Sequence, residues 1–101
     1  MTLTVRQQLL LILGRSTSAI TCAQLVTELN KTFPTHRSSA TVSSALKKMY
    51  DDKLVARIDS AGKRGGYGYK LTLSGRGWYA GILAKQTFAN FFEAVRSIVE
   101  Q

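Results

Sequence analysis

Thr41, Ser44, Lys47 and Lys48 fall on one side of a helix drawn through Ala40–Tyr50, with Ser43 at its margin. Short hydroxyls and ammonium groups donate hydrogen bonds. A surface of such donors with no carboxylate among them suits a groove of phosphate oxygens and base edges better than burial against protein. The other side of the same segment is apolar, because Val42, Ala45, Leu46 and Met49 recur at i, i+3, i+4 and i+7. One helix would therefore carry an inward face that anchors it and an outward face that binds a polyanion. More cations lie near it. Arg37 stands just ahead of the segment, and Lys63-Arg64 stand in the glycine-rich run Asp59–Gly66.

The overall charge agrees. The 101 residues carry a formal net charge of +8 with a sequence pI near 10.1. The cations are clustered: Arg37, Lys47, Lys48, Lys53, Arg57, Lys63, Arg64, Lys70 and Arg76 face only Asp51, Asp52 and Asp59 over residues 37–77. Residues 78–101 balance Lys85 and Arg96 against Glu93 and Glu100. A basic middle and a neutral tail imply one half for a polyanion and one half for another task.

Other chemistries find little support. Cys22 is the single cysteine, so no intrachain disulfide can form, and its apolar neighbours mark it as a packing thiol. His36 has no His, Cys or Asp at metal-ligand spacing, so no metal and no cofactor are expected. No Ser-His-Asp set, phosphate-binding loop or dinucleotide fingerprint is present, and Gly62-Lys63-Arg64-Gly65-Gly66 lacks the Gly-Lys-Ser/Thr ending of a phosphate loop. Asp51-Asp52 reads as a solvated helix end, not a catalytic pair. An enzyme is not expected. Leu9–Leu13 is too short to cross a membrane and has weak signal-peptide flanks, so a cytoplasmic protein is the default expectation.

Local signals place the elements. Thr4 with Gln7 and Thr21 with Gln24 are capping boxes that start two helices. Val5, Leu9, Ile12 and Leu13 face inward in the first helix, and Gly14 is expected to end it in the left-handed conformation. Ile20 can start a very short strand. Leu25, Val26 and Leu29 face inward in the second helix, which Phe33 closes and Pro34 stops. Ser38 or Ser39 caps the third helix. Leu54–Ile58 and Tyr67–Leu71 are expected strands. Ser74 is expected to cap a last helix that either reaches about Glu100 or breaks near Lys85-Gln86-Thr87. Its apolar residues change face: Trp78, Tyr79, Ile82 and Leu83 would face their own domain, while Phe88, Phe91, Phe92, Val95, Ile98 and Val99 form a later stripe nearly opposite. Tyr67, Tyr69, Trp78 and Tyr79 could stack on bases, but their spacing favours core or interface positions.

This is a mainly α chain with a small β-hairpin (α+β), and helix followed by basic hairpin is the layout of a winged helix-turn-helix. Thr41–Met49 followed by Leu54-Val55-Ala56-Arg57 resembles the recognition helix and first wing strand of MarR- and PadR-type transcription regulators. Tyr69–Gly77 is similar to the segment leaving the wing in those families. The resemblance covers about residues 4–80. One departure is Lys53, which stands where those families often have Gly. A left-handed Lys costs roughly a kcal/mol, so the turn is expected to differ locally.

The resemblance implies a sequence-specific regulator of double-stranded DNA, acting as a repressor. The third helix, about 38–50, would enter the major groove, and the wing, about 59–66, would reach the backbone or minor groove. Position by position, Arg37, Ser39, Thr41, Ser43, Ser44, Lys47 and Lys48 would face DNA, with Lys63 and Arg64 at the wing tip. Residues 1–77 would form the DNA-binding domain and 78–101 a long C-terminal helix that makes a homodimer through the later stripe. The competing expectation is a winged-helix protein-interaction module that does not touch DNA.

Overall fold

Threonine capping boxes start the first two helices as the sequence implies. In the computed structural model, which describes residues 3–59 and 67–85, Thr4 and Gln7 exchange side-chain-to-backbone hydrogen bonds of 2.9 and 3.2 Å. Thr21 and Gln24 do the same at 3.1 and 3.3 Å. The elements run α1 (Val5–Arg15), β1 (Ile20–Thr21), α2 (Cys22–Thr32), α3 (Ser39–Asp51), β2 (Val55–Asp59) and β3 (Tyr67–Leu71). A further helix, α4, occupies residues 73–85 of the described chain. The sheet is antiparallel in the order β1-β3-β2, with Val55 opposite Leu71, Arg57 opposite Tyr69 and Asp59 opposite Tyr67. The mainly α architecture with a β-hairpin is as expected. The later stripe from Phe88 to Val99 and the wing-tip residues Lys63 and Arg64 lie outside the described residues.

The core joins α1, α2 and α3 to the sheet through Leu9, Leu13, Leu25, Leu29, Val42, Leu46, Met49 and Val55. α1 is more buried than a one-sided stripe implies. Leu9 through Leu13 are all buried, and α1 touches α2, α3 and β3. A run of five consecutive apolar residues turns apolar side chains to every side of the helix, and that stretch takes the centre of the fold.

Several local readings are corrected. Gly14 does not end α1 in a left-handed turn. The helix continues to Arg15, and Ser16 caps it in an extended conformation. Gly14 instead gives room to the Tyr79 ring from α4, which a Cβ at position 14 would strike. Thr72, not Ser74, caps α4: its hydroxyl accepts from the Gly75 N–H at 3.1 Å and its carbonyl from the Arg76 N–H at 2.9 Å. β2 is shifted one residue from the expected Leu54–Ile58. On α4 only Tyr79 and Ile82 pack against the core; Trp78 and Leu83 are exposed. The inward line of α4 is Gly75, Tyr79, Ile82, and Trp78 stands one residue off it.

The turn after α3 keeps its left-handed residue despite the absence of glycine. Lys53 has φ of 62°. Its N–H donates to the Tyr50 carbonyl at 3.0 Å, and the Leu54 N–H to the Met49 carbonyl at 2.9 Å. This is the Schellman pattern, with buried Leu54 and Met49 providing its apolar contact. Thr72 locks the same turn. Its hydroxyl donates to the Lys53 carbonyl at 2.6 Å and lies 3.1 Å from the Leu54 carbonyl, while its N–H donates to the Leu54 carbonyl at 3.0 Å.

Two substitutions test this junction by urea denaturation. Lys53→Gly relieves the left-handed Cβ and is expected to stabilise the chain by about 1 kcal/mol. Gly75→Ala drives a Cβ into the Leu54 backbone carbonyl, which cannot rotate away, and is expected to destabilise by about 1–3 kcal/mol.

Candidate nucleic-acid interface

α3 has the two faces its periodicity demands. Val42, Leu46 and Met49 are fully buried. Ser39, Thr41, Ser43, Ser44, Lys47 and Lys48 are all exposed. Ser38 caps the helix by accepting from the Thr41 N–H at 3.2 Å, and its hydroxyl lies 2.9 Å from that of Thr41. No carboxylate interrupts the outward face from Ser39 to Lys48; Asp51 ends it. Lys47 and Lys48 make no ion pair among the described residues, where the only such pair is Arg6–Asp52 at 3.2 Å. The face is a strip of donors and cations directed at solvent.

What aims this strip is a set of hydrogen bonds at the α2–α3 turn. The Asn30 side chain spans the turn: its oxygen accepts from the Arg37 N–H at 2.7 Å and its amide donates to the Arg37 carbonyl at 3.0 Å. The Arg37 guanidinium turns inward, donating to Gln8 Oε1 and to the Leu3 carbonyl, each at 3.2 Å. Gln8 is buried in α1 and donates to the Thr35 hydroxyl at 2.9 Å. Arg37 thus sits at the start of α3, as expected, while its guanidinium ties that start to α1. Of the residues in this set, Gln8 leaves a trace in the sequence. It lies three after Val5 and four before Ile12, on the inward stripe, and a buried amide requires partners. Asn30 leaves no such trace.

The four aromatics divide. Tyr69 and Tyr79 pack against the core. Tyr67 and Trp78 are exposed and each carries an arginine, with Arg57 5.4 Å from the Tyr67 centroid and Arg6 5.7 Å from that of Trp78. Cys22 is half-buried against the core, and burial raises its thiol pKa. His36 is exposed, and no group of three metal-ligating side chains occurs among the described residues. No helix among them is long and apolar enough to cross a membrane. A groove of about 690 Å³ runs along Ile12, Arg15, Ile20, Ala23, Gln24 and Glu28 and includes none of the expected site residues.

A capped three-helix core, a hairpin returning beside the third helix and an outward polar face on that helix define a winged helix-turn-helix. No family model and no curated protein matches the sequence. Solved structures do match. RosR from H. salinarum superposes with a TM-score of 0.71 at 20% identity, over 97% of this chain and 90% of that one. The zinc-responsive MarR family member ZitR from Lactococcus lactis matches with a TM-score of 0.69 at 22% identity, over 93% of this chain and 62% of ZitR. MepR from S. aureus, in a complex with DNA, matches with a TM-score of 0.63 at 21% identity, over 95% of this chain and 80% of that one. These likenesses establish the fold as that of MarR-type winged-helix proteins.

Removing the buried amide tests the staple at the start of α3. Gln8→Ala leaves the Arg37 Nε–H and the Thr35 hydroxyl without this partner and is expected to cost about 1–3 kcal/mol in chemical denaturation. Gln8→Glu keeps an acceptor for Arg37 and is expected to cost less.

Proposed function

We propose that this protein binds duplex DNA as a transcription regulator, with α3 in the major groove. The observation that carries this reading is the outward face of α3: six exposed donors and cations, uninterrupted by a carboxylate, on a helix whose other face is locked into the core. Ser39, Ser43, Ser44 and Lys47 are the base-reading candidates, and Thr41 and Lys48 flank them. Arg37 contributes mainly by holding the helix start. Lys63 and Arg64 act as phosphate contacts of the wing. The MepR–DNA complex gives the same fold a precedent on DNA. Repression follows the same reading, by occupation of an operator.

A homodimer completes it. Residues 1–77 supply the DNA-binding unit and 78–101 the dimer contact, through Phe88, Phe91, Phe92, Val95, Ile98 and Val99, while Tyr79 and Ile82 stay with the core of the first. Support comes from α4, which returns Tyr79 and Ile82 to the core and leaves Trp78 exposed. Six apolar side chains beyond it would each gain about 1.5–3 kcal/mol on full burial. A two-fold pairing would set two recognition helices about 34 Å apart, one turn of DNA.

Selection from random duplexes followed by gel shift tests the reading. A selected duplex is expected to bind with affinity that falls steeply with salt, because each neutralised phosphate releases counterion. Ser44→Ala or Lys47→Ala is expected to relax base preference at one position by roughly 1–3 kcal/mol. Lys63→Ala with Arg64→Ala is expected to weaken all duplexes alike. Absence of any shift at low salt overturns DNA binding. Light scattering tests the dimer: Phe92→Asp is expected to give a monomer with weakened operator binding, and a wild-type monomer at micromolar concentration overturns it.

A further inference from the structure

Arg57 lies in the middle of β2 with its guanidinium near two tyrosine rings, 4.1 Å from the centroid of Tyr50 and 5.4 Å from that of Tyr67. Tyr50 belongs to the last turn of α3 and Tyr67 opens β3, so the stack bridges the helix to the root of the hairpin. Tyr50 also continues the row Ser43, Lys47, Tyr50 at i, i+4, i+7 on α3. The arginine is therefore the next cation along the outward face, carried from the helix onto the sheet.

Its hydrogen bonding is incomplete. Nε is buried and has no partner. The two terminal nitrogens have no partner among the described residues either, and neither is buried. Asp59, two residues along the same strand, makes no ion pair with it. A guanidinium held beside two aromatic rings, with no hydrogen-bond partner among the described residues, is preorganised. Its rotamers are restrained before a ligand arrives, and its planar fork matches two oxygens of one phosphate. Both tyrosines remain more than a third exposed, at 41% and 49%, so the stack is a surface feature and not a core one.

We propose that Arg57, held beside Tyr50 and Tyr67, grips a backbone phosphate of the duplex where the strand leaves α3 and passes the root of the wing. This contact rests on the DNA reading above and adds a residue that neither the helix face nor the wing tip supplies. It fixes the register of α3 without reading sequence, because phosphate contacts position and base contacts specify.

The test uses the full chain and a duplex selected from a random pool. Arg57→Gln keeps a planar group near the rings and removes the charge. It is expected to lower affinity about tenfold or more, equally for the selected and an unrelated duplex. It is also expected to flatten the slope of log affinity against log salt by about 0.9 for each bound subunit. Arg57→Lys is expected to keep the slope while losing part of the affinity. In the wild-type chain, the Arg57 Nε–H resonance is expected to move on duplex addition, a readout that needs no variant. A folded Arg57→Gln chain with wild-type affinity and slope, or a wild-type Nε–H resonance that stays in place on binding, overturns the contact and leaves the stack a structural one. A wild-type chain that binds no duplex overturns the DNA reading itself and this contact with it.

Discussion

The Leu54 carbonyl is the atom around which three parts of the fold meet. It accepts the Thr72 N–H at 3.0 Å, the Thr72 hydroxyl lies 3.1 Å from it, and Gly75 is pressed against it. Upstream, the left-handed Lys53 and the Leu54 N–H close the end of α3. Downstream, β2 begins at Val55, and Thr72 caps α4. The exit of α3, the start of the hairpin and the start of α4 therefore share one set of hydrogen bonds. A left-handed lysine is held there because its neighbours over-determine it. Each bond contributes modestly on its own. Their joint effect is to fix the angle between the helix that faces solvent and the helix that leads toward the chain's end.

The other end of α3 is fixed by polar groups that had to be buried to reach it. Gln8 sits in an otherwise leucine-rich helix, and its amide satisfies Arg37 on one side and Thr35 on the other. Such a group is costly if left unpaired and specific when paired, because only one placement of the α2–α3 turn serves all of its bonds. Asn30 adds two bonds across the same turn. α3 is thus held at both ends by hydrogen bonds and along its length by Val42, Leu46 and Met49, and its outward row faces solvent. The surface pair Arg6–Asp52 is exposed on both sides and adds little.

Much of this was legible in the sequence because the signals are local. Both Thr-x-x-Gln boxes, the stop at Pro34, the period of Val42, Leu46 and Met49, and the strand Tyr67–Leu71 depend on neighbours a few residues away. What was misread depends on residues far along the chain. Gly14 has the residue type of a helix end, yet it is a landing place for the Tyr79 ring. Ser74 is a good cap by composition, yet Thr72 takes the role because its hydroxyl also reaches Lys53. Lys53 looks incompatible with a left-handed turn until the Thr72 bonds are known. Trp78 belongs to an apolar cluster by type, yet the inward line of α4 passes through Gly75, Tyr79 and Ile82. For the candidate site, the outward face of α3 could be read from spacing alone. The inward turn of the Arg37 guanidinium and the stacking of Arg57 could not, since both depend on partners from other elements.

The central claim is that the outward row of α3 meets DNA bases. Amide chemical-shift mapping of the full chain on titration with a selected duplex tests it most directly. The expected result is that the largest shifts fall between Ser39 and Lys48, with smaller ones at Arg57 and Tyr67 and little change along the groove at Arg15, Ala23 and Glu28. Shifts concentrated in that groove, with Ser39 to Lys48 unmoved at saturating duplex, would contradict it.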